Sequence, residues 1–185
     1  PGSGNPNFHI ASDKSYLQGD KGVFGKVIDT LDWIAEHTPL PKLRLGDSKR
    51  SMEIQLGYLD QYGVRKGLLS SVFGVSIKDN PDKIRGVRGI LFHYEEDGTI
   101  DNLEDTWNIN RKAAEDGNIS FMLMCALGTG GSSSSSFAGS EKLFYYPETY
   151  NIYGLSNVFD KNTDGTTKCG FFWGAYLNRN GCYDE

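Results

Sequence analysis

The sequence predicts an α+β fold: an antiparallel β-sheet packed around one long amphipathic helix at about residues 21–37. Three observations point there. One stretch near the N-terminus repeats its apolar residues at spacings of three and four. The stretches after it alternate with a period of two. The composition, with 23 glycines and six prolines among 185 residues, suits strands and turns better than a helical bundle. A β-sandwich with an added helix is the alternative arrangement.

Residues 21–37 place Val23, Phe24, Val27, Ile28, Leu31, Ile34 and Ala35 on one face. Lys21, Lys26, Asp29, Asp32 and Glu36 take the other, with Trp33 at the margin. Asp20 is positioned as an N-cap, and Pro39 after Thr38 ends the helix because the residue before a proline is driven from helical geometry. An apolar stripe this broad needs a partner surface.

The period then changes. Met52, Ile54, Leu56 and Tyr58 alternate with Glu53, Gln55 and Gly57, and SSVFGVSI (70–77) is a second Val/Ile-rich strand. GVRGILFHYEEDGTIDNL (86–103) reads as two strands joined by a hairpin at Asp97-Gly98. TWNINR (106–111) reads as a short strand and RKAAEDG (111–117) as one helical turn. ISFMLMCAL (119–127) is apolar throughout, which describes a central strand covered on both faces or a buried helix of the same length. GTGGSSSSSFAGS (128–140) reads as a loop within one domain. Strand-like EKLFYYPETYNIY (141–153), a turn at Asp164-Gly165 and an aromatic terminal strand complete the chain. PGSG at 1–4 reads as a cloning remnant, leaving 5–185 as a single globular domain.

Net charge is −5 with both signs interspersed, so there is no basic footprint for nucleic acid or an anionic membrane surface. Every apolar run is under ten residues, against about 20 for a membrane-spanning helix, so no membrane insertion is expected. Three cysteines leave two patterns open: three buried thiols, or one disulfide and one free thiol. Cys125, inside ISFMLMCAL, resembles an inert core residue.

No catalytic residue, metal or cofactor is expected. Asp160, Asn162, Asp164 and Gly165 match the opening of a calcium-binding loop, but Phe171 stands where a bidentate glutamate is required. GTGGSSSSS lacks the lysine ending of a phosphate-binding loop. His9, His37 and His93 have no nucleophile motif near them, and a Cys125–His93 dyad is the one pair to consider. Lys83, Arg85 and Arg88 form a small basic cluster broken by glycines, which reads as a solvated loop. Aromatic density beside polar groups remains. Tyr145, Tyr146, Tyr150 and Tyr153 lie near Glu148 and Asn151, and Trp173 and Tyr176 near Asn178 and Arg179. Sugar sites use this inventory, an aromatic face for the apolar side of a ring and amides and charges for its hydroxyls.

KLFYY at 142–146, the tyrosine-rich stretch after it, and Cys169 and Cys182 with twelve residues between them occur in a recognisable order. It resembles the C-terminal part of the rotavirus outer-capsid spike head, the receptor-binding fragment. There a K-[IL]-[YF]-x-Y strand precedes two cysteines set the same way around an aromatic strand. The matching positions are Lys142, Leu143, Phe144, Tyr146, Cys169, Phe171 and Cys182, over about the last 45 residues. The familiar heads are galectin-like β-sandwiches without a long helix near the N-terminus. The resemblance therefore points to a divergent group, such as group B, with a different fold.

This resemblance implies a lectin-like head on the virion surface that attaches to host-cell oligosaccharides noncovalently, beside other capsid or spike subunits. The ligand classes of such heads are sialylated, blood-group and lactosamine-type oligosaccharides. The contact surface expected here is Trp173, Tyr176, Arg179, Tyr145 and Tyr150. A disulfide between Cys169 and Cys182 is expected with it. A straight strand from Lys168 to Arg179 would hold the two cysteines on the order of 30 Å apart, whereas a disulfide needs Cα atoms within about 7 Å. The bond therefore requires a reversal near Gly174-Ala175; without one Cys182 stays free. A second reading is another viral or phage projecting module whose aromatics serve oligomer contacts. A third is a small secreted hydrolase converging on His93 or on Glu95, Glu96 and Asp97.

Overall fold

The computed structural model describes residues 4, 6–78, 80–116, 119–120, 122–129, 134–156 and 168–170. The chain enters as β1 (Pro6–Ala11), a single-turn α1 (Lys14–Leu17) and α2 (Val23–His37). Next come β2 (Arg44–Ser48), β3 (Glu53–Leu56), the small hairpin β4 (Tyr58–Leu59) and β5 (Arg65–Lys66), and β6 (Ser71–Ser76). After β7 (Leu91–Glu95) follow α3 (Leu103–Ala114), the short β8 (Glu115–Asp116) and β9 (Ile119–Ser120), and β10 (Leu123–Leu127). The last elements are α4 (Ser134–Tyr145), β11 (Leu155–Ser156) and β12 (Lys168–Cys169).

The fold is α+β, with one six-stranded sheet in the order β10-β7-β1-β6-β3-β2. Its pairing is mixed. The expected antiparallel register joins β6 to β3 and β3 to β2. β10, β7, β1 and β6 run parallel. The reason is connection length: the returns from β1 to β6 and from β7 to β10 carry α2 and α3, and only such long crossovers can bring strands back parallel.

Alternation along β1 divides the core. Phe8 and Ile10 point to one face, where Phe92, Tyr94, Leu103, Trp107 and Leu143 pack. Ala11 points to the other, with Phe24, Ile28, Met52 and Ile54. Thus α2 covers one face of the sheet, and α3 and α4 the other. Among the described residues the expected long helix, α2, is joined by α3 and α4 on the opposite face.

α2 matches its expected span, but its cap differs. Gly22 is the N-cap, while the Asp20 carboxylate binds Lys49 Nζ at 2.8 Å. At the other end Thr38 closes the helix by donating its N–H to the Ile34 carbonyl.

The largest departures lie between β7 and β12. Asp97–Thr99 is a 3₁₀ turn, not a hairpin, and Glu96 before it takes left-handed backbone at φ 50°. TWNINR lies within α3, where Leu103, Trp107 and Asn110 are buried at helical spacing. Acidic Glu104 and Asp105 open that helix and basic Arg111 and Lys112 close it, complementing its dipole. The expected 128–140 loop is helical from Ser134, and of KLFYY, expected in a strand, Lys142–Tyr145 form the end of that helix. Pro147–Tyr150 is a second 3₁₀ turn. ISFMLMCAL contains β9 and β10, and β10 pairs in the main sheet with β7 alone among the described residues. Leu123 and Leu127 are exposed, so among the described residues β10 stands at the edge of the sheet rather than as a doubly covered centre.

Candidate functional site

Where α3 and α4 lean over the edge strand β10, a cavity of about 660 Å³ opens. Met124 and Ala126 of β10 form part of its floor, and Trp107, Leu143 and Phe144 form its helical walls. Tyr150, Asn151, Ile152 and Tyr153 follow α4 around the rim, with Arg111 and Asp97 adding charge. The rim is fixed by backbone geometry. Asn151 takes left-handed backbone at φ 55°, which reverses the chain after the 3₁₀ turn, and Ile152 N–H donates to the Pro147 carbonyl at 2.8 Å.

Tyr150 links these walls. It is buried, its hydroxyl donates to Glu104 Oε1 at 2.7 Å, and its carbonyl accepts Trp107 Nε1–H at 3.2 Å. Burial first, and the Glu104 carboxylate second, push its pKa up to about 12. Lys142 reaches Glu104 Oε2 at 2.6 Å, and these hydrogen bonds hold the Glu104 carboxyl below its usual range. Asp97 behaves oppositely. Burial raises its pKa, outweighing the backbone amides that favour the carboxylate. Arg111 donates through Nη1 to the Thr149 carbonyl at 3.2 Å, and its Nε is buried without a hydrogen-bond partner. Tyr153 is the most open group, at 79 % exposure.

Of the residues expected to contact a ligand, Tyr150 lines this cavity, chiefly as a wall. Tyr145 stands one residue from the lining Phe144, edge-on to it with ring centroids 5.0 Å apart. Trp173, Tyr176 and Arg179 lie outside the described residues, as do Cys182 and the Asp160–Gly165 turn. Sequence reasoning missed Trp107 and Arg111. Both sit one turn apart on a segment read as a strand, and a test of 103–114 for helical spacing would have paired them.

The remaining chemistry is on the opposite face of the sheet. His9 and His93 are register partners on β1 and β7, with Nδ1 atoms 3.0 Å apart and rings edge to face. His93 Nε2 lies 3.6 Å from Glu95 Oε2. Cys125 is the register partner of His93 on β10, and burial raises its thiol pKa, which keeps it protonated. Among the described residues no group of three or more His, Cys, Asp or Glu is placed to hold a metal ion. No helix among them is long and apolar enough to cross a membrane. Neither a model of a known protein family nor a curated protein sequence matches this chain.

Proposed function

We propose that this chain is a viral spike head that attaches the virion to host cells by binding cell-surface glycans noncovalently at the α3–α4–β10 cavity. The observation that carries the reading is the composition of that cavity. Trp107, Tyr150 and Tyr153 offer aromatic surface, and Arg111 and Asn151 stand beside them as polar groups. Sugar rings present this same pairing of an apolar face with equatorial hydroxyls. A ligand oxygen reaching Arg111 would also satisfy a guanidinium otherwise short of a partner. The chemistry is recognition without covalent change, consistent with a protonated Cys125 thiol.

The test is a broad glycan array followed by titration of whatever binds. Tyr153→Ala should weaken binding by about tenfold without altering the fold, because the side chain is exposed and its loss removes one stacking surface. Silence across the array would defeat the proposal.

A second reading is favoured by one specific feature. Leu31 and Ile34 of α2, with Leu40, Leu43, Leu56, Tyr58 and Leu68, line an apolar groove of about 330 Å³. Leu40 and Leu68 are more than half exposed, as in surfaces that mediate oligomer contacts. Sedimentation separates the two readings. A dimer or trimer that Leu68→Glu dissociates, together with a silent array, would assign the molecule to oligomerisation instead.

A further inference from the structure

A second cavity, of about 410 Å³, lies at the carboxyl ends of β1, β6 and β7, lined by Asp13, Tyr16, Lys78, Thr99, Asp101 and Asn102 among others. Connectivity explains its position. β1 lies between β6 and β7, all three parallel. The chain leaving β1 passes α2 on one face of the sheet, and the chain leaving β7 passes α3 on the other. Connections departing to opposite faces open a crevice at the carboxyl ends of the strands, where ligands of open parallel sheets bind. Topology supplies only the place, so the walls must indicate what enters.

The inner wall is already tied together. Ser12 Oγ and Thr99 Oγ1 share a hydrogen bond of 2.8 Å, and Thr106 Oγ1 donates to the Asn102 carbonyl at 2.8 Å. Asp13 accepts from Ser15 N–H at 2.9 Å and pairs with Lys78 Nζ at 3.3 Å. The mouth is different. The Asp101 carboxylate, the Asn102 amide and the Tyr16 hydroxyl line the cavity with no side-chain hydrogen bond among the described residues. Two carboxylates against one ammonium leave the crevice negative, which disfavours phosphate and carboxylate ligands. An acceptor, an amide that both donates and accepts, and an exposed aromatic ring match an uncharged molecule rich in hydroxyls.

We propose that this crevice is a second binding site, for an uncharged polyol or saccharide residue. Asp101 and Asn102 hold its hydroxyls, and the Tyr16 ring covers its apolar side. The proposal concerns a cavity separate from the one assigned to attachment and does not depend on that reading. The experiment is an amide chemical-shift titration of the whole chain with free galactose, glucose and myo-inositol, with N-acetylneuraminic acid as charged comparator. Saturable shifts at residues 12–16, 78 and 99–102 are expected with the neutral probes and not with the charged one. Asp101→Ala and Tyr16→Ala should each weaken the response by about tenfold at an unchanged melting temperature, since both side chains are exposed. Asp101→Ala decides the matter should Tyr16→Ala prove unstable. The proposal is overturned by no shift at these amides at tens of millimolar probe. Shifts that Asp101→Ala leaves unchanged, or shifts confined to the Tyr153 cavity, overturn it equally.

Discussion

The His9–His93 contact shows how a single pair sets a condition on the whole fold. At 3.0 Å between Nδ1 atoms, one ring must donate and the other accept, so the contact holds one shared proton. Burial, and then the charge of His93, lower the His9 pKa from 6.5 to about 4. The unfolded chain therefore binds more protons than the folded one between those values. Stability is full above pH 6.5 and falls as pH drops towards 4, by roughly 3 kcal/mol from this group. Denaturant unfolding at pH 7.5 and pH 4.5 should show the loss, and His9→Gln should reduce the difference. Equal losses in both proteins would remove His9 from the account. Gly74, the register partner of His9 on β6, makes a steric demand instead. A Cβ there would meet Met52 Cβ at 2.6 Å and Phe24 Cε2 at 2.8 Å. Gly74→Ala should cost roughly 1–3 kcal/mol in unfolding free energy, because α2 could not keep its distance from the sheet.

Elements raise a different question, which is why local preference and observed structure disagree where they do. α2 follows its pattern because its apolar stripe and its burial coincide, with Phe24 and Ile28 both in the core. Its cap does not follow preference. Serine ordinarily caps better than glycine, but a Cβ at Gly22 would lie 2.5 Å from the Gln18 carbonyl oxygen and the Leu17 carbonyl carbon. We therefore expect Gly22→Ser to lower the melting temperature, and a rise would show that the α1–α2 corner can relax. α3 was legible in principle. Leu103, Trp107 and Asn110 recur at helical spacing with complementary charges at the two ends, but Asp97-Gly98 just before them is a stronger local signal for a hairpin. What decided the outcome is long-range. Asn110 Nδ2 donates to the buried Tyr94 hydroxyl at 2.6 Å, and Trp107 packs on the Tyr94 ring at 5.6 Å between centroids. α4 was less legible still. Serine repetition reads as linker, and burial of Ser140 and Leu143 against the rest of the core is a tertiary fact.

At the scale of the molecule, the two edges of the sheet formed by the described residues are treated differently. β2 carries a register shift between Arg44 and Gly46, and Arg44 pairs with Asp32 and Asp47. Bulges and charges of this kind discourage pairing with another sheet. β10 at the other edge instead contributes Met124 and Ala126 to the cavity proposed for glycans. Attachment through one such cavity per chain would be weak, and strength would come from many copies on one particle. The expected outcome is that particles displaying the chain bind glycan-bearing cells, while the free chain competes only at far higher concentration. Equal potency of the two forms would count against that account.

Three things were decidable from the residues alone: the α+β class, the span of α2, and the strand character of 53–56, 71–76 and 91–95. Each depends on periodicity, a local property that survives whatever the segment later packs against. Three others were decided only in three dimensions: strand order and direction, the helical state of 134–145, and the gathering of Trp107, Arg111 and Tyr153 around one cavity. These depend on which distant surfaces meet. A tyrosine in a sequence is equally suited to a wall or a ligand platform. Burial divides the roles here, making Tyr150 a wall bonded to Glu104 and leaving Tyr153, three residues on, open to solvent.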